Sequence, residues 1–184
     1  MVLITDASPQ KVKAMKKESN IEMERLAEHL RREQPHLLRY ACYRLGNLDN
    51  AKDALQDTYL KLCGMLSSET SREVKDWRNY IFRALSNICT SRLSQSSRLK
   101  TIPLDARLDW ADLPTESNEA DYQRISCLLA EIPEEQAEVI RLRIYGNNSF
   151  ADVAEILSLP LPTVKSRFLY GLDKIRKAMK QTKQ

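Results

Sequence analysis

Between Ile21 and Lys180 the apolar side chains recur three and four residues apart, and three of the only four glycines (Gly46, Gly64 and Gly146) fall at the ends of such stretches. That period marks amphipathic helices, and no comparable run has the two-residue period of a strand. The chain is therefore expected to be all-α. Leu37, Leu38, Ala41, Cys42 and Leu45 form one stripe, closed by Gly46 just past the last turn. Ala51, Ala54, Leu55, Thr58, Tyr59, Leu62 and Cys63 form a second that ends near Gly64, and Tyr80, Ile81, Ala84, Leu85, Ile88 and Cys89 form a third that reaches about Leu93. An earlier stripe, Ile21, Leu26, Ala27 and Leu30, is expected to break or restart at Pro35. Four helices adjacent in sequence make a small bundle.

A second block begins near Tyr122. Ile125, Leu128 and Leu129 share a face, and Pro133 with Glu134 and Glu135 opens a helix that Arg141 and Arg143 close before Gly146. Ser149 is placed to cap the next helix, with Asp152 as its capping-box partner and Val153, Ile156 and Leu157 turned inward. A short turn, Ser158 to Leu161, leads into the last helix, which begins at Pro162 or Thr163. Between the blocks, residues 98–121 hold two prolines and a run of acids without a sustained period, which reads as a linker. The expected organisation is a flexible arm over 1–20, a first domain over 21–97, the linker over 98–121, and a second domain over 122–184.

The net charge of +4 is distributed unevenly: residues 1–100 carry 18 basic and 12 acidic side chains, 101–121 carry 1 and 6, and 122–184 carry 10 and 7. From Thr163 onward Lys165, Arg167, Lys174, Arg176, Lys177, Lys180 and Lys183 face a single acid, Asp173. A basic stripe on one helix suits a polyanion, because each neutralised phosphate releases condensed counterions. Other classes fit poorly. No apolar run approaches the roughly 18 residues of a membrane span, and the amino terminus lacks an export signal, so the cytoplasm is the expected compartment. The four cysteines make no CxxC pair and both histidines precede them, which gives no zinc or redox motif. The glycines cannot form a phosphate loop, and no histidine follows His36 to serve a nucleophile. No enzyme, metal or cofactor is expected.

Two helices joined by a short turn, with Ala154 at their crossing and Val153, Ile156, Leu159, Val164 and Phe168 between them, describe a helix-turn-helix. Its second helix enters the major groove amino end first. Thr163, Lys165, Ser166, Arg167, Leu169 and Tyr170 are then near bases and phosphates, and Lys174 and Arg176 lie farther along the backbone. In the first block Asp53, Gln56 and Asp57 stand at i, i+3 and i+4 on one face, opposite Leu55, Tyr59 and Leu62, and suit a basic protein partner.

Over residues 22 to 180 the chain resembles the small two-domain bacterial RNA polymerase sigma factors of the extracytoplasmic-function type. Ala51-Lys-Asp-Ala-Leu-Gln-Asp-Thr-Tyr-Leu60 is similar to the family helix that docks on the polymerase clamp, which assigns polymerase binding to Asp53, Gln56 and Asp57. Tyr80-Ile-Phe-Arg-Ala-Leu-Ser-Asn87 is similar to a segment of the domain that recognises and melts the −10 element. Ile132 to Tyr145, Phe150 to Leu157, and Thr163-Val-Lys-Ser-Arg167 resemble the −35 binding domain. The resemblance implies −10 contacts from Trp77, Arg78, Arg83, Asn87 and Arg92, and capture of an extruded base by the loop holding Ser67, Ser68 and Thr70. Whether Trp77 packs or stacks on a base stays open. After Asn87 the family's usual arginine run is replaced by Ile88 to Ser97, with Arg92 its one basic residue, so fewer phosphate contacts are expected there. The implied partners are core RNA polymerase, promoter DNA and an anti-sigma factor, for a chain that is monomeric when free. A stand-alone helix-turn-helix regulator, with a dimerisation or ligand-binding first bundle, is the alternative.

Overall fold

A computed structural model describes residues 9–66, 74–98 and 119–181. Its order is α1 (Pro9–Leu45), α2 (Leu48–Leu66), α3 (Trp77–Arg98), α4 (Glu119–Ala130), α5 (Glu134–Ile140) running into a π-helical turn (Arg141–Tyr145), α6 (Phe150–Leu157) and α7 (Leu161–Gln181). Among the described residues every regular element is helical, and none is long and apolar enough to cross a membrane. Most of the expected linker and the loop with Ser67, Ser68 and Thr70 lie outside the described residues.

The first unit has three helices rather than four, because α1 passes through Pro35 without a stop. Proline removes one amide donor and crowds the preceding turn, a cost of roughly 3 kcal/mol. Here both flanks are pinned into one core: Leu26 and Glu33 before the proline, and Leu37, Tyr40, Ala41 and Cys42 after it, are all buried. The same helix starts at Pro9, so the second half of the segment expected to be an arm is helical backbone. Gly46 closes α1 with φ +70, where a side chain would be strained, and its amide bonds the Cys42 carbonyl at 2.7 Å. In α2 the buried side is Ala51, Ala54, Thr58, Leu62 and Leu66, and Tyr59, expected inside, is 41% exposed. The Thr58 hydroxyl is satisfied by the Ala54 carbonyl at 2.7 Å.

In the second unit, Pro133 caps α5, and Ala137 and Ile140 join Leu129 and Ile132 in a small core with Leu172 and Ile175 of α7. The helix then widens into a π turn in which the Gly146 amide reaches back five residues to the Arg141 carbonyl at 3.0 Å. Asn148, fully buried, accompanies this turn by donating its side-chain amide to the Leu142 carbonyl at 2.9 Å.

The two units share a core. Val139, Leu142, Val153, Ile156 and Val164 of the second are in one buried cluster with Leu37, Tyr40, Ile81, Phe82 and Leu85 of the first. Tyr43 of α1 stacks on Tyr145 of the π turn, with centroids 3.5 Å apart. At the centre of this contact Glu138 of α5 is 8% exposed and accepts from the Tyr40 hydroxyl and, at 2.9 Å, from Ser86. Its other oxygen lies 3.2 Å from Arg44 Nε and 3.6 Å from Arg141 Nη1. Burial, with the Glu138 charge second, pushes the Tyr40 phenol well above its ordinary range, so it stays a donor. Burial likewise raises the Cys42 and Cys89 thiols to about 12, which makes them packing residues rather than nucleophiles.

Candidate functional site

Helices α6 and α7 form the expected helix-turn-helix. Ser149 caps α6 in extended backbone, its hydroxyl accepting from the Asp152 amide while the Asp152 carboxylate accepts from the Ser149 amide, at 3.1 and 2.9 Å. Burial pulls the Asp152 carboxyl up, but the Ser149 hydroxyl and amide, Arg78 and the Asn79 amide outweigh it and hold it below the usual aspartate value. Ser158 ends α6 in left-handed backbone, φ 54, and α7 starts at Leu161, with Pro162 in the first turn where a missing donor is harmless. Val153, Ile156 and Val164 are buried at the crossing, and Phe150 meets Phe168 edge to face at 5.1 Å.

This packing fixes what α7 presents outward. Lys165, Leu169, Tyr170, Lys174 and Arg176 are exposed, and Leu169 and Tyr170 are each 65% exposed. Thr163 and Ser166 are half-buried, with the Ser166 hydroxyl turned onto the Thr163 carbonyl at 2.9 Å. Arg167 is half-buried and pairs with Glu135 at 2.6 Å. A helix that offers lysines with two large, unpacked apolar side chains between them can meet phosphates and base methyl groups together.

On α2, Asp53, Gln56 and Asp57 are all exposed. Leu55 and Tyr59 are not opposite them in the core: with Lys52 and Gln56 they line one wall of a groove whose other wall is Leu30, Arg31, Gln34 and Leu38 of α1. The groove has an apolar floor and a polar rim. Asp57 pairs with Arg92 of α3, so two residues assigned to different partners touch each other.

The residues of α3 have a different setting. Trp77 packs, 6% exposed, edge-on to Tyr80 and with its indole nitrogen 3.2 Å from Glu22. Arg78 donates to Glu33 at 2.9 Å, to the Gly146 and Asn147 carbonyls at 3.0 and 2.9 Å, and to the Asn148 side chain, and it lies over the Phe82 ring. Arg83 donates to the Ile156 carbonyl at 3.2 Å and to the Glu155 carbonyl. Asn79, 2% exposed, donates to the Glu155 carboxylate at 2.9 Å. The two guanidinium groups therefore sit where the π turn and α6 end, against carbonyls that carry the negative end of a helix dipole. Asn87 is exposed and Arg92 half-buried. Sequence reasoning did not find Glu138, Asn148 or Glu155. The available signal was in Glu138 and Arg141, charged residues three apart on the apolar side of α5.

Residues 128–177, which take in α5, the π turn and the helix-turn-helix, match the family model "Sigma-70, region 4". Over 156 residues the chain is 24% identical to the ECF RNA polymerase sigma factor SigW of Bacillus subtilis (strain 168), covering 76% of this chain and 81% of that protein. The chain thus carries a sigma-70 region 4 and, over most of its length, is similar to a sigma factor of the extracytoplasmic-function type. The fold is also similar to two solved structures. CnrH, in complex with the cytosolic domain of CnrY, matches with TM-score 0.64 and 17% identity over 91% of this chain and 95% of that one. RpoE of Bartonella quintana, in complex with the anti-sigma factor NepR, matches with TM-score 0.64 and 22% identity over 84% and 96%. These likenesses of fold span both helical units.

Proposed function

We propose that the chain binds core RNA polymerase and directs it to promoters by recognising the −35 and −10 elements, acting by binding and not by catalysis. Polymerase docking falls to the exposed face of α2, where Asp53, Gln56 and Asp57 stand beside the groove between α1 and α2. Carboxylates and an amide around an apolar floor suit a partner helix with basic residues. The −35 element is read by α7: Lys165, Lys174 and Arg176 meet phosphates, and Ser166, Leu169 and Tyr170 meet base edges. Arg167 joins them by exchanging Glu135 for a phosphate. The −10 element is the target of the α3 end of the first unit, through Arg78, Arg83, Asn87 and Arg92, with Ser67, Ser68 and Thr70 receiving an extruded base. Unstacking that base costs a few kcal/mol, which the polymerase and protein contacts offset.

The observation that carries the reading is the helix-turn-helix within a region 4 match, joined to a first unit that the sigma-factor relatives also possess. The arm over the first residues, the 21–97 and 122–184 domains and the linker between them belong to the same proposal. So do a cytoplasmic location, where chromosome and polymerase are, and control by an anti-sigma factor, a partner type seen with the Bartonella protein.

Co-elution with bacterial core RNA polymerase at physiological salt tests the proposal. The wild type is expected to co-elute stoichiometrically as a monomeric subunit, and Asp53→Ala/Gln56→Ala is expected to abolish this. A chain that elutes as a dimer, ignores polymerase and binds duplex DNA alone would overturn it in favour of a stand-alone regulator.

A further inference from the structure

We propose that the carboxyl-terminal half of α7 is a docking surface, and that its occupant is the acidic segment 101–118 of this same chain. Surface and occupant belong to one polypeptide, so the contact holds whether or not the chain serves a polymerase.

Past its crossing with α6, α7 carries a strip that the core leaves open. Leu172 and Ile175 share a cluster with Ile125 and Leu129 of α4, but the same face runs on through Met179, which is 38% exposed. With Arg176 and Lys180 these three α7 residues line a groove of about 370 Å³, and among the described residues no other element contributes to it. Leu172, Ile175 and Met179 stand at i, i+3 and i+7, with Arg176 and Lys180 at i+4 and i+8 along one edge. Asp173, the one acid on α7, is taken by Lys177 at 2.7 Å, and Arg176 and Lys180 pair with no carboxylate among the described residues. An apolar strip edged by two available cations suits a ligand that is apolar and acidic together.

Residues 101–118, which lie outside the described residues, have that composition: Leu104, Leu108, Trp110 and Leu113 alternate with Asp105, Asp109, Asp112 and Glu116, against Arg107 as the one base. The spacing matches as well. Leu104 and Leu108 are each followed directly by an acid, as Ile175 and Met179 are each followed by a base, and both sets repeat after four residues. An apolar contact and an ion pair can therefore form twice in one register. The segment is also tethered at both ends, to Arg98 of α3 and to Glu119 of α4, and α4 packs against α7. Such a tether holds it at an effective concentration on the order of millimolar, so a weak contact suffices and any free partner must outcompete it. A second copy of the chain fits less well, because two turns of one helix fall far short of the roughly 600 Å² per partner that a stable interface needs.

The test uses the full chain grown with 5-fluorotryptophan, in which Trp77 and Trp110 supply the only fluorine resonances and Trp110→Phe assigns them. Trp77, 6% exposed in the first unit, reports the fold of every variant. Exposure of Trp110 is read from the displacement of its resonance between water and heavy water. In the native chain that displacement is expected to be at least about twofold smaller than in concentrated urea, the factor for a ring covered half of the time or more. Met179→Glu, and separately Arg176→Glu/Lys180→Glu, are expected to restore the urea value while the Trp77 resonance stays in place. A native displacement equal to that in urea would overturn the proposal, because the segment would then leave the strip open. A small native displacement that neither variant changes would overturn it too, placing the ring elsewhere. Loss of the shielding on dilution would overturn it in favour of a second copy of the chain. Polymerase co-elution of the same labelled chain is scored apart: failure there leaves the contact standing, and an exposed Trp110 leaves polymerase binding standing.

Discussion

Replacing Glu138 with alanine should destabilise the chain by about 3–5 kcal/mol, and the size follows from what the carboxylate leaves behind. Arg44 and Arg141 have side chains only 9% and 7% exposed, and breaking a buried ion pair by removing one partner costs about 3–5 kcal/mol. Glu134 softens this loss, because it pairs with both guanidinium groups, at 2.8 Å to Arg141, but it is 55% exposed and its field is screened. The Tyr40 hydroxyl, on a fully buried residue, and the Ser86 hydroxyl lose their acceptor at the same time, which adds about 1–3 kcal/mol for an unsatisfied buried donor. The low ends of the two ranges combine to about 4 kcal/mol, the middle of the figure given. For a chain of this length about 2–4 °C accompanies each kcal/mol, so calorimetry should show a fall of roughly 6–20 °C. Asp57→Asn is the internal comparison: its partner Arg92 and Asp57 itself are 30% and 51% exposed, and the change should cost less than about 1 kcal/mol. A Glu138→Ala shift as small as that of Asp57→Asn would refute the reasoning, because the network would then contribute nothing beyond a surface pair.

Three further outcomes are expected. Gly146→Ala should destabilise the chain by about 1–3 kcal/mol, read as a lower urea midpoint, since the new methyl would be 2.6 Å from the Asn148 amide and 2.7 Å from the Leu142 carbonyl, and a backbone oxygen cannot step aside. Leu169→Ala and Tyr170→Ala should leave stability within about 0.5 kcal/mol, both side chains being 65% exposed, yet weaken binding to promoter duplex severalfold in a gel-shift assay. Asp152→Asn should destabilise at neutral pH, and the difference from wild type should vanish in acid. The folded carboxyl is held low, so its contribution is complete above the unfolded value of about 3.9 and is lost as pH falls through the folded one; denaturation curves at a series of pH values check this.

The features legible in the sequence were those set by local chemistry. Ser149 and Asp152 form their capping box because both partners lie within one turn, and Gly46 takes positive φ at the residue where the α1 stripe stops. The helix-turn-helix follows from the same short-range pattern, and so does the exposure of Asp53, Gln56 and Asp57. What stayed hidden depends on distant groups. Pro35 reads as a breaker on its own and is overruled by the shared core on both flanks. Arg78 and Arg83 look like free cations until carbonyls about seventy residues away are brought to them. Tyr59 satisfies the helical period yet is 41% exposed, because the smaller Ala51 and Ala54 allow α1 and α3 to approach close to the other side of α2.

The π turn at Arg141–Tyr145 sets the phase between the two halves of the molecule. A π turn is an α-helix carrying one residue more than its bonding requires. Removing any one residue there would let the segment relax to α geometry, and whatever follows would rotate by about 100° and retreat by about 1.5 Å. Tyr145 would leave the face of Tyr43, the Gly146 and Asn147 carbonyls would swing away from Arg78, and α6 and α7 would point elsewhere without a single change in their own sequence. Chain length at this one turn, rather than the identity of any side chain, therefore works as the alignment key between the two units. A one-residue deletion is the most economical way to leave α3 and α7 intact and their mutual orientation wrong.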